Sequence, residues 1–176
     1  MRRVFATCIP ANKVKDTDVY HIVGDIALVL FASDEHNKDD IRLQLSALAK
    51  MGINPSDLWP AALVNVGRAC IVTEKGLKEL RKVKKINTKY GYLTLTSSTE
   101  KHGAVVAFVP GVLETVRKLF GTDQLRVLFT SKNKAVVYPP DVVVTNDRCK
   151  ENNRDFLTNS LYVYDRPKGL RMMAQV

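Results

Sequence analysis

Cysteine is scarce in this chain, with three residues, Cys8, Cys70 and Cys149, spread over 176 positions. They are odd in number and far apart, which fits neither a disulfide framework nor the close pairs that hold zinc. Only Cys149 lies beside cations, Arg148 and Lys150, which would favour a reactive thiolate. We therefore expect inert thiols in a reducing compartment.

Histidine is equally rare. His21, His36 and His102 lie in separate segments without the His-x-x-x-His or Glu-x-x-His spacing that aligns ligands on a helix. We therefore expect neither a metal site nor a cofactor. His36 is a candidate to help cap a helix, whereas His102 follows Glu100 and Lys101 and is predicted to be a solvated loop residue.

Recognisable catalytic combinations are also missing. Ser97-Ser98 lacks the Gly-x-Ser-x-Gly elbow that would expose a nucleophile, and is typical of a turn. The acidic pairs Asp39-Asp40 and Asp16/Asp18 lie in polar segments, where a solvated surface is more common than paired catalytic carboxylates. The sequence thus predicts no catalytic residues and a non-enzymatic protein.

Long hydrophobic runs are absent, and none approaches the roughly 20 apolar residues that cross a bilayer. The segment that begins at Met1 is basic, but its apolar run is short for a signal peptide and is closed by Pro10. Thr7 stands where a lipidated Cys8 would need a small Gly, Ala or Ser. We expect a cytoplasmic protein that does not contact membranes.

Positive charge is abundant. The net charge is +9 and the pI is about 9.5, which favours polyanionic partners. One stretch, called the basic segment below, concentrates this charge, with Glu79 as its one acid. Its cations are Lys75, Lys78, Arg81, Lys82, Lys84, Lys85 and Lys89. Three interpretations are open: a solvated face, a contact for an acidic protein, or a contact for nucleic acid. Base stacking would need aromatic side chains among the cations, and only Tyr90 and Tyr92 follow them.

The first half of the chain predicts a strand and two helices. Residues 26–31 are apolar throughout, which indicates a strand buried on both faces. Periodic apolar residues predict a helix over about 39–50, ended by Gly52. A second helix is expected from Asn54 to about Ala69, capped by Ser56 or Asn54, with Trp59 on its core side. Residues 77–83 predict a short helix or an edge ribbon.

The second half predicts two hairpins separated by a helix. Residues 92–96 and 104–109 are expected to pair as strands, and 112–120 to form a helix closed by Gly121. Strands are then predicted at 125–129, 135–138, 142–145 and 162–164, with a loop at 146–153. The fold class is a single α+β domain over 1–176, with a mostly antiparallel sheet covered by helices on one face. Its core spans about 18–145, and 146–176 are peripheral.

The predicted strand that ends at Asp34, the stretch Leu48–Trp59 and the helical Ala62-Leu63-Val64-Asn65-Val66 resemble the YtpQ-like family of bacterial proteins. The apolar Val105–Val109 followed by Pro110 is similar to a later strand of that family. The resemblance covers about residues 18–140 and implies a bacterial origin but no activity. The family follows the proline with a small residue, an arginine and an aspartate, whereas this chain has Gly111-Val112-Leu113.

These features favour a protein-binding module, for example an immunity or antitoxin-type protein that blocks an acidic toxin through the basic segment. The alternative is a nucleic-acid-binding protein that uses the same cations, and the third hypothesis is a hydrolase with an unrecognised site. The sequence does not specify an oligomeric state.

Overall fold

The computed structural model describes residues 3–33, 40–73, 91–98, 101–142 and 157–175. In the first half, the strands are β1 (Arg3–Pro10), β2 (Tyr20–Val23), β3 (Ile26–Ser33), β4 (Ile41–Arg42) and β5 (Cys70–Thr73), and the helices are α1 (Leu45–Lys50), α2 (Pro55–Arg68) and a short 3-10 helix (Ala11–Lys13). The second half contains β6 (Leu93–Ser97), a longer 3-10 helix (Gly103–Phe108), α3 (Val112–Phe120), β7 (Gln124–Ser131), β8 (Lys134–Tyr138), β9 (Ser160–Asp165) and β10 (Gly169–Gln175).

The strands form two antiparallel sheets. The first has the order β1-β3-β2, and β4 also pairs with β3. Every residue of β3 except the last is buried, which confirms the predicted strand with two covered faces. The second sheet has six strands in the order β10-β9-β7-β8-β6-β5.

One large apolar core joins the two sheets. It includes Ala6 and Leu30 from the first sheet, Val127 and Tyr162 from the second, and Val66 from α2. The predicted α+β class is therefore confirmed, although there are two sheets rather than one, with α2 packed on β1 of the first and α3 on β7 of the second. Each helix among the described residues is too short or too polar to span a bilayer.

The chain ends contribute more to this core than the sequence predicts. Ala6 and Cys8 of β1 are fully buried, so the core begins before residue 18. The predicted short strand at 162–164 is the centre of β9, which lies between β7 and β10, and Tyr162 is fully buried. The peripheral assignment is therefore wrong for 157–175, because this segment completes the six-stranded sheet.

The second predicted helix is confirmed as α2. The Asn54 side chain accepts a hydrogen bond from the backbone N–H of Ser56 at 3.0 Å, and Pro55 occupies the first turn. Ala62 and Val66 are buried, whereas Trp59 is partly buried and packs against the core. Trp59 thus contributes to packing, as its spacing predicts.

The first predicted helix is shorter than expected, because α1 begins at Leu45 rather than near residue 39. Ile41 and Arg42 pair instead with Ala32 and Phe31 of β3. This pairing satisfies backbone groups at the free edge of a buried strand, which outweighs the helical spacing of Ile41. Gly52 follows the helix with φ +66°, in agreement with its predicted role as a stop.

The predicted hairpin between 92–96 and 104–109 is wrong. β6 forms as expected, but it pairs with β5 and β8, so both of its edges are already occupied. Residues Gly103–Phe108 form a 3-10 helix in which the first five residues are buried. An apolar run of this length does not distinguish a buried strand from a buried helix, so only the tertiary arrangement settles it.

Two later predictions are confirmed. Helix α3 begins at Val112 and is followed by Gly121 with φ +65°. β7 and β8 form a hairpin in which Ser131 pairs with Lys134. The predicted segment at 77–83 and the loop at 146–153 lie outside the described residues, as does all but the first residue of the strand predicted at 142–145.

Candidate functional site

A cleft of about 360 Å³ opens between the longer 3-10 helix, the first turn of α3, and strands β9 and β10. We call it the Glu114 cleft. Its walls are mainly apolar and are formed by Val23, Ala107, Phe108, Val109, Leu113 and Leu170. Its volume lies at the lower end of the roughly 300–1,000 Å³ range of small-molecule sites.

Local sequence explains how the chain forms one side of this cleft. The 3-10 helix ends at Phe108, Val109 and Pro110 follow it, and Gly111 has φ +83°, a left-handed conformation that favours glycine. The turn directs Val112–Phe120 into a helix whose buried residues include Leu113. Glu114, the next residue, then lies at the cleft beside Tyr164 of β9.

Tyr164 and Leu170 form the other side. They are directly opposite each other in the β9–β10 ladder, so both side chains project from the same face of the sheet. The Tyr164 hydroxyl makes a long hydrogen bond to Glu114 Oε2, at 3.4 Å. The cleft therefore combines apolar walls with one carboxylate and one phenol.

Arg117 holds the Glu114 carboxylate in a bidentate pair. Its Nε donates to Oε2 at 2.9 Å, and its Nη2 donates to Oε1 at 2.9 Å. These hydrogen bonds lower the pKa of Glu114 to about 2, against the effect of burial, and the charges of Lys118 and Arg166 act in the same direction. Glu114 is consequently ionised across the physiological range.

Three cations, Arg117, Lys118 and Arg166, act on the Glu114 carboxylate in the cleft wall. Arg117 is committed to Glu114, and it also donates to the carbonyl oxygen of Thr122 at 2.8 Å. Lys118 Nζ lies 3.8 Å from Glu114 Oε1, but its side chain is 70% exposed. Arg166 is exposed and interacts electrostatically with both Glu114 and Tyr164.

This arrangement favours binding over acid–base catalysis. A general acid or base works best with a pKa near the operating pH. The pKa of Glu114 is far below neutrality, and burial together with the Glu114 charge raises the pKa of Tyr164 above its usual value. Neither titratable group of the cleft wall is therefore suited to exchange protons at neutral pH.

His102 belongs to a second polar arrangement. Its Nδ1 lies 2.8 Å from Thr7 Oγ1, its Nε2 lies 2.9 Å from Asp40 Oδ2, and its ring centroid is 4.5 Å from that of Phe31. The backbone N–H of His102 also donates to Asn133 Oδ1 at 3.0 Å. The prediction of a solvated loop residue is therefore wrong, because long-range contacts bury much of the ring.

The order hydroxyl, imidazole, carboxylate also occurs in hydrolases, but here the hydroxyl is poorly placed for attack. Thr7 lies within β1, opposite Val29, and is buried. Burial lowers the pKa of His102, and the charges of Lys132 and Lys101 act the same way, while Asp40 opposes them. We interpret the arrangement as a structural link between β1, residue 40 and the β7–β8 turn.

The predicted partner-binding residues, Lys75–Lys89, lie outside the described residues, and so do His36 and Cys149. Cys8 is fully buried, and burial raises the pKa of its thiol, which agrees with the predicted inert cysteine. His21 is exposed on β2. Within the described residues, no group of three His, Cys, Asp or Glu side chains is placed to hold a metal ion.

The acidic pairs separate into different environments. Asp16 is exposed as predicted, but Asp18 is only 2% exposed. Asp18 Oδ2 accepts from Arg42 Nη1 at 3.1 Å and from the backbone N–H of Lys15 at 3.0 Å. The prediction of a solvated carboxylate is therefore wrong for Asp18. Its side-chain partner, Arg42, belongs to β4, 24 residues further along the chain.

Sequence reasoning did not identify the Glu114 cleft. The spacing of Glu114, Arg117 and Lys118 on the predicted helix is a visible signal for ion pairs at i+3 and i+4. No local pattern indicates that Tyr164, fifty residues further on, approaches Glu114. A search of protein families, curated proteins and solved structures finds no match to the chain.

Proposed function

We propose that this protein is a non-enzymatic module that binds an acidic protein through the basic segment. One observation carries the proposal, namely the concentration of seven cations and one acid between Lys75 and Lys89 in a chain whose net charge is +9. The carboxylates of Asp18, Asp25, Asp40, Glu114 and Asp165 all hydrogen-bond within the fold. By contrast, the lysines at positions 13, 15, 50, 101, 118 and 168 are exposed.

The exposed lysines add to the excess of positive charge over the whole chain, which supports an acidic partner. The net charge of +9 then attracts a partner of opposite charge and speeds association. The basic segment has the densest run of cations, so it is the proposed contact. A specific form of this proposal is a cytoplasmic bacterial immunity or antitoxin-type protein that covers its toxin.

The test is a comparison of two charge-reversal variants in an affinity capture from host lysate treated with nuclease. The first variant changes Lys75, Lys78, Lys82, Lys84 and Lys85 to Glu. The second changes an equal number of exposed lysines elsewhere, namely Lys13, Lys15, Lys50, Lys101 and Lys168. Both variants alter the net charge equally, so a difference between them reports the location of the contact.

We expect one protein to be captured by the unmodified chain and by the second variant, but not by the first. Circular dichroism spectra and melting curves establish that both variants fold. Equal capture by the two variants would contradict a contact at the basic segment. Loss of all captured material on nuclease treatment would contradict a protein partner.

The second candidate is nucleic-acid binding, which the same lysine-rich segment favours. Neutralising phosphates releases condensed counterions, so the affinity for DNA or RNA would fall steeply as salt increases. Titration of the protein into a labelled oligonucleotide at several salt concentrations tests this alternative. Binding that is absent or insensitive to salt excludes it.

A further inference from the structure

Positive charge is in excess around Glu114, the carboxylate in the cleft wall. Both oxygens of Glu114 already accept hydrogen bonds from Arg117, and Oε2 also receives the Tyr164 hydroxyl. A ligand cation would gain little from a carboxylate that is already matched in this way. Lys118 lies beside the pair, with Nζ 3.8 Å from Glu114 Oε1, and Arg166 acts electrostatically on both Glu114 and Tyr164. Both cations have exposed side chains, which leaves positive charge available to an incoming anion.

The interior of the cleft has a different character from its mouth. Val23, Ala107, Phe108, Val109, Leu113 and Leu170 present hydrocarbon surface within a volume of about 360 Å³. Burying an apolar ligand against such walls removes its surface from water and is favourable. The cleft therefore offers a site for an apolar body and, at its mouth, for one negative charge.

We propose that the Glu114 cleft binds a small carboxylate with an apolar body, such as a medium-chain alkyl carboxylate. The hydrocarbon lies against Val109 and Leu170, and the carboxylate lies at the mouth, where Arg166 is its main electrostatic partner. This site is separate from the basic segment, so the inference does not depend on the proposed protein partner.

The experiment compares three probes with the same chain length and different charge, namely octanoate, 1-octanol and octylamine. Each is titrated into the full-length protein and followed by ¹⁵N–¹H correlation spectra. We expect octanoate to bind most tightly and octylamine most weakly, with the largest shifts at residues 107–114 and 164–170. Octylamine that binds as tightly as octanoate would overturn the proposed anion preference.

Two pairs of variants locate the site. Leu170→Trp fills the cleft, and Met173→Trp adds the same ring on the same strand at a side chain that is 66% exposed. Arg166→Gln removes the proposed partner of the carboxylate, and Lys168→Gln removes an exposed charge two residues away. We expect Leu170→Trp to abolish octanoate binding and Arg166→Gln to weaken it about fivefold, with both controls unchanged.

Octanoate binding that survives in a folded Leu170→Trp variant would overturn the assignment to this cleft. If that variant does not fold, the site is located in the unmodified protein by nuclear Overhauser effects between octanoate and the protein. Contacts from the methyl end of octanoate to Val109 and Leu170 support the site. Contacts confined to other surfaces, such as the exposed Met173, overturn it.

Discussion

The Tyr162 hydroxyl lies 2.6 Å from Asp25 Oδ1, and this contact connects the two sheets. Tyr162 belongs to β9 of the six-stranded sheet, whereas Asp25 lies in the turn between β2 and β3. The other carboxylate oxygen, Oδ2, accepts from Ser160 Oγ at 2.6 Å and from Thr158 Oγ1. Burial acts to raise the pKa of Asp25, but these hydrogen bonds outweigh it and lower the pKa below its usual value.

We predict that Tyr162→Phe destabilises the protein because it removes a donor from a partly buried, charged acceptor. Hydrogen bonds to charged groups contribute about 1.5–3 kcal/mol. Tyr164→Phe is the matched control, since its hydroxyl makes only the 3.4 Å contact with Glu114. Urea unfolding monitored by circular dichroism should show a clear loss of stability for the first variant and little for the second. Equal losses would contradict the role of the inter-sheet contact.

Gly103 allows a close approach between the longer 3-10 helix and the β7–β8 turn. A Cβ atom at this position would lie 2.2 Å from the carbonyl oxygen of Asn133 and 2.6 Å from the Cα of Thr96. Both neighbours are backbone atoms, so the clash requires the sheet or the helix to move. Overpacking of this kind costs about 1–3 kcal/mol, and fixed backbone neighbours place this site at the upper end.

We therefore predict that Gly103→Ala strongly lowers the midpoint of urea denaturation. Gly121→Ala is the control, because Gly121 has φ +65° but nothing within 4 Å of the added Cβ. That variant carries only the cost of a left-handed alanine, about 1–2 kcal/mol. A Gly103→Ala variant at least as stable as Gly121→Ala would show that the neighbouring backbone relieves most of the clash, and it would contradict this prediction.

The elements that were predictable from the sequence are those with local start and stop signals. Asn54 and Pro55 define the first turn of α2, and Gly121 ends α3. The four-residue turn from Ser131 to Lys134 closes the β7–β8 hairpin. Each of these signals lies next to the element that it determines, so no tertiary information is needed.

The errors arise where partners distant in sequence decide the structure. Residues 104–108 form a 3-10 helix because β6 already pairs on both sides, with β5 and β8. Tyr162 is central because its sheet brings it to Asp25, 137 residues earlier. The candidate cleft depends in the same way on Tyr164 reaching Glu114, and no periodicity in the chain encodes that contact.

Asp16 and Asp18 are two residues apart but differ in burial, so they form a matched pair for testing what a buried carboxylate contributes to stability. Asp18 holds Arg42 and the backbone N–H of Lys15, whereas Asp16 is exposed. We predict that Asp18→Ala lowers the free energy of unfolding by about 1.5–3 kcal/mol, because it leaves the N–H of Lys15 without its acceptor. Asp16→Ala should change it by less than about 0.5 kcal/mol. Similar unfolding curves for the two variants would contradict a structural role for Asp18.

The final prediction concerns the pH dependence of stability through His102. Burial holds the folded pKa of His102 below 6.5, its value in an unperturbed chain, and the hydrogen bond to Asp40 offsets only part of this effect. Between the folded pKa and 6.5, the unfolded chain binds a proton more readily than the folded protein. The contribution of His102 is therefore complete above pH 6.5 and is lost as pH falls through this window. One such group changes stability by at most about 1.4 kcal/mol per pH unit.

His102→Asn isolates this contribution, because asparagine does not titrate in this range and tolerates the left-handed backbone of position 102, where φ is +56°. Urea unfolding at a series of pH values from 7.5 to about 5 should show a steeper loss of stability for the unmodified protein than for this variant. His21→Asn is the control, since it makes the same substitution at an exposed histidine of β2. If His102→Asn retains the full slope below pH 6.5, another group takes up the proton, and the link between Thr7, His102 and Asp40 does not control acid stability.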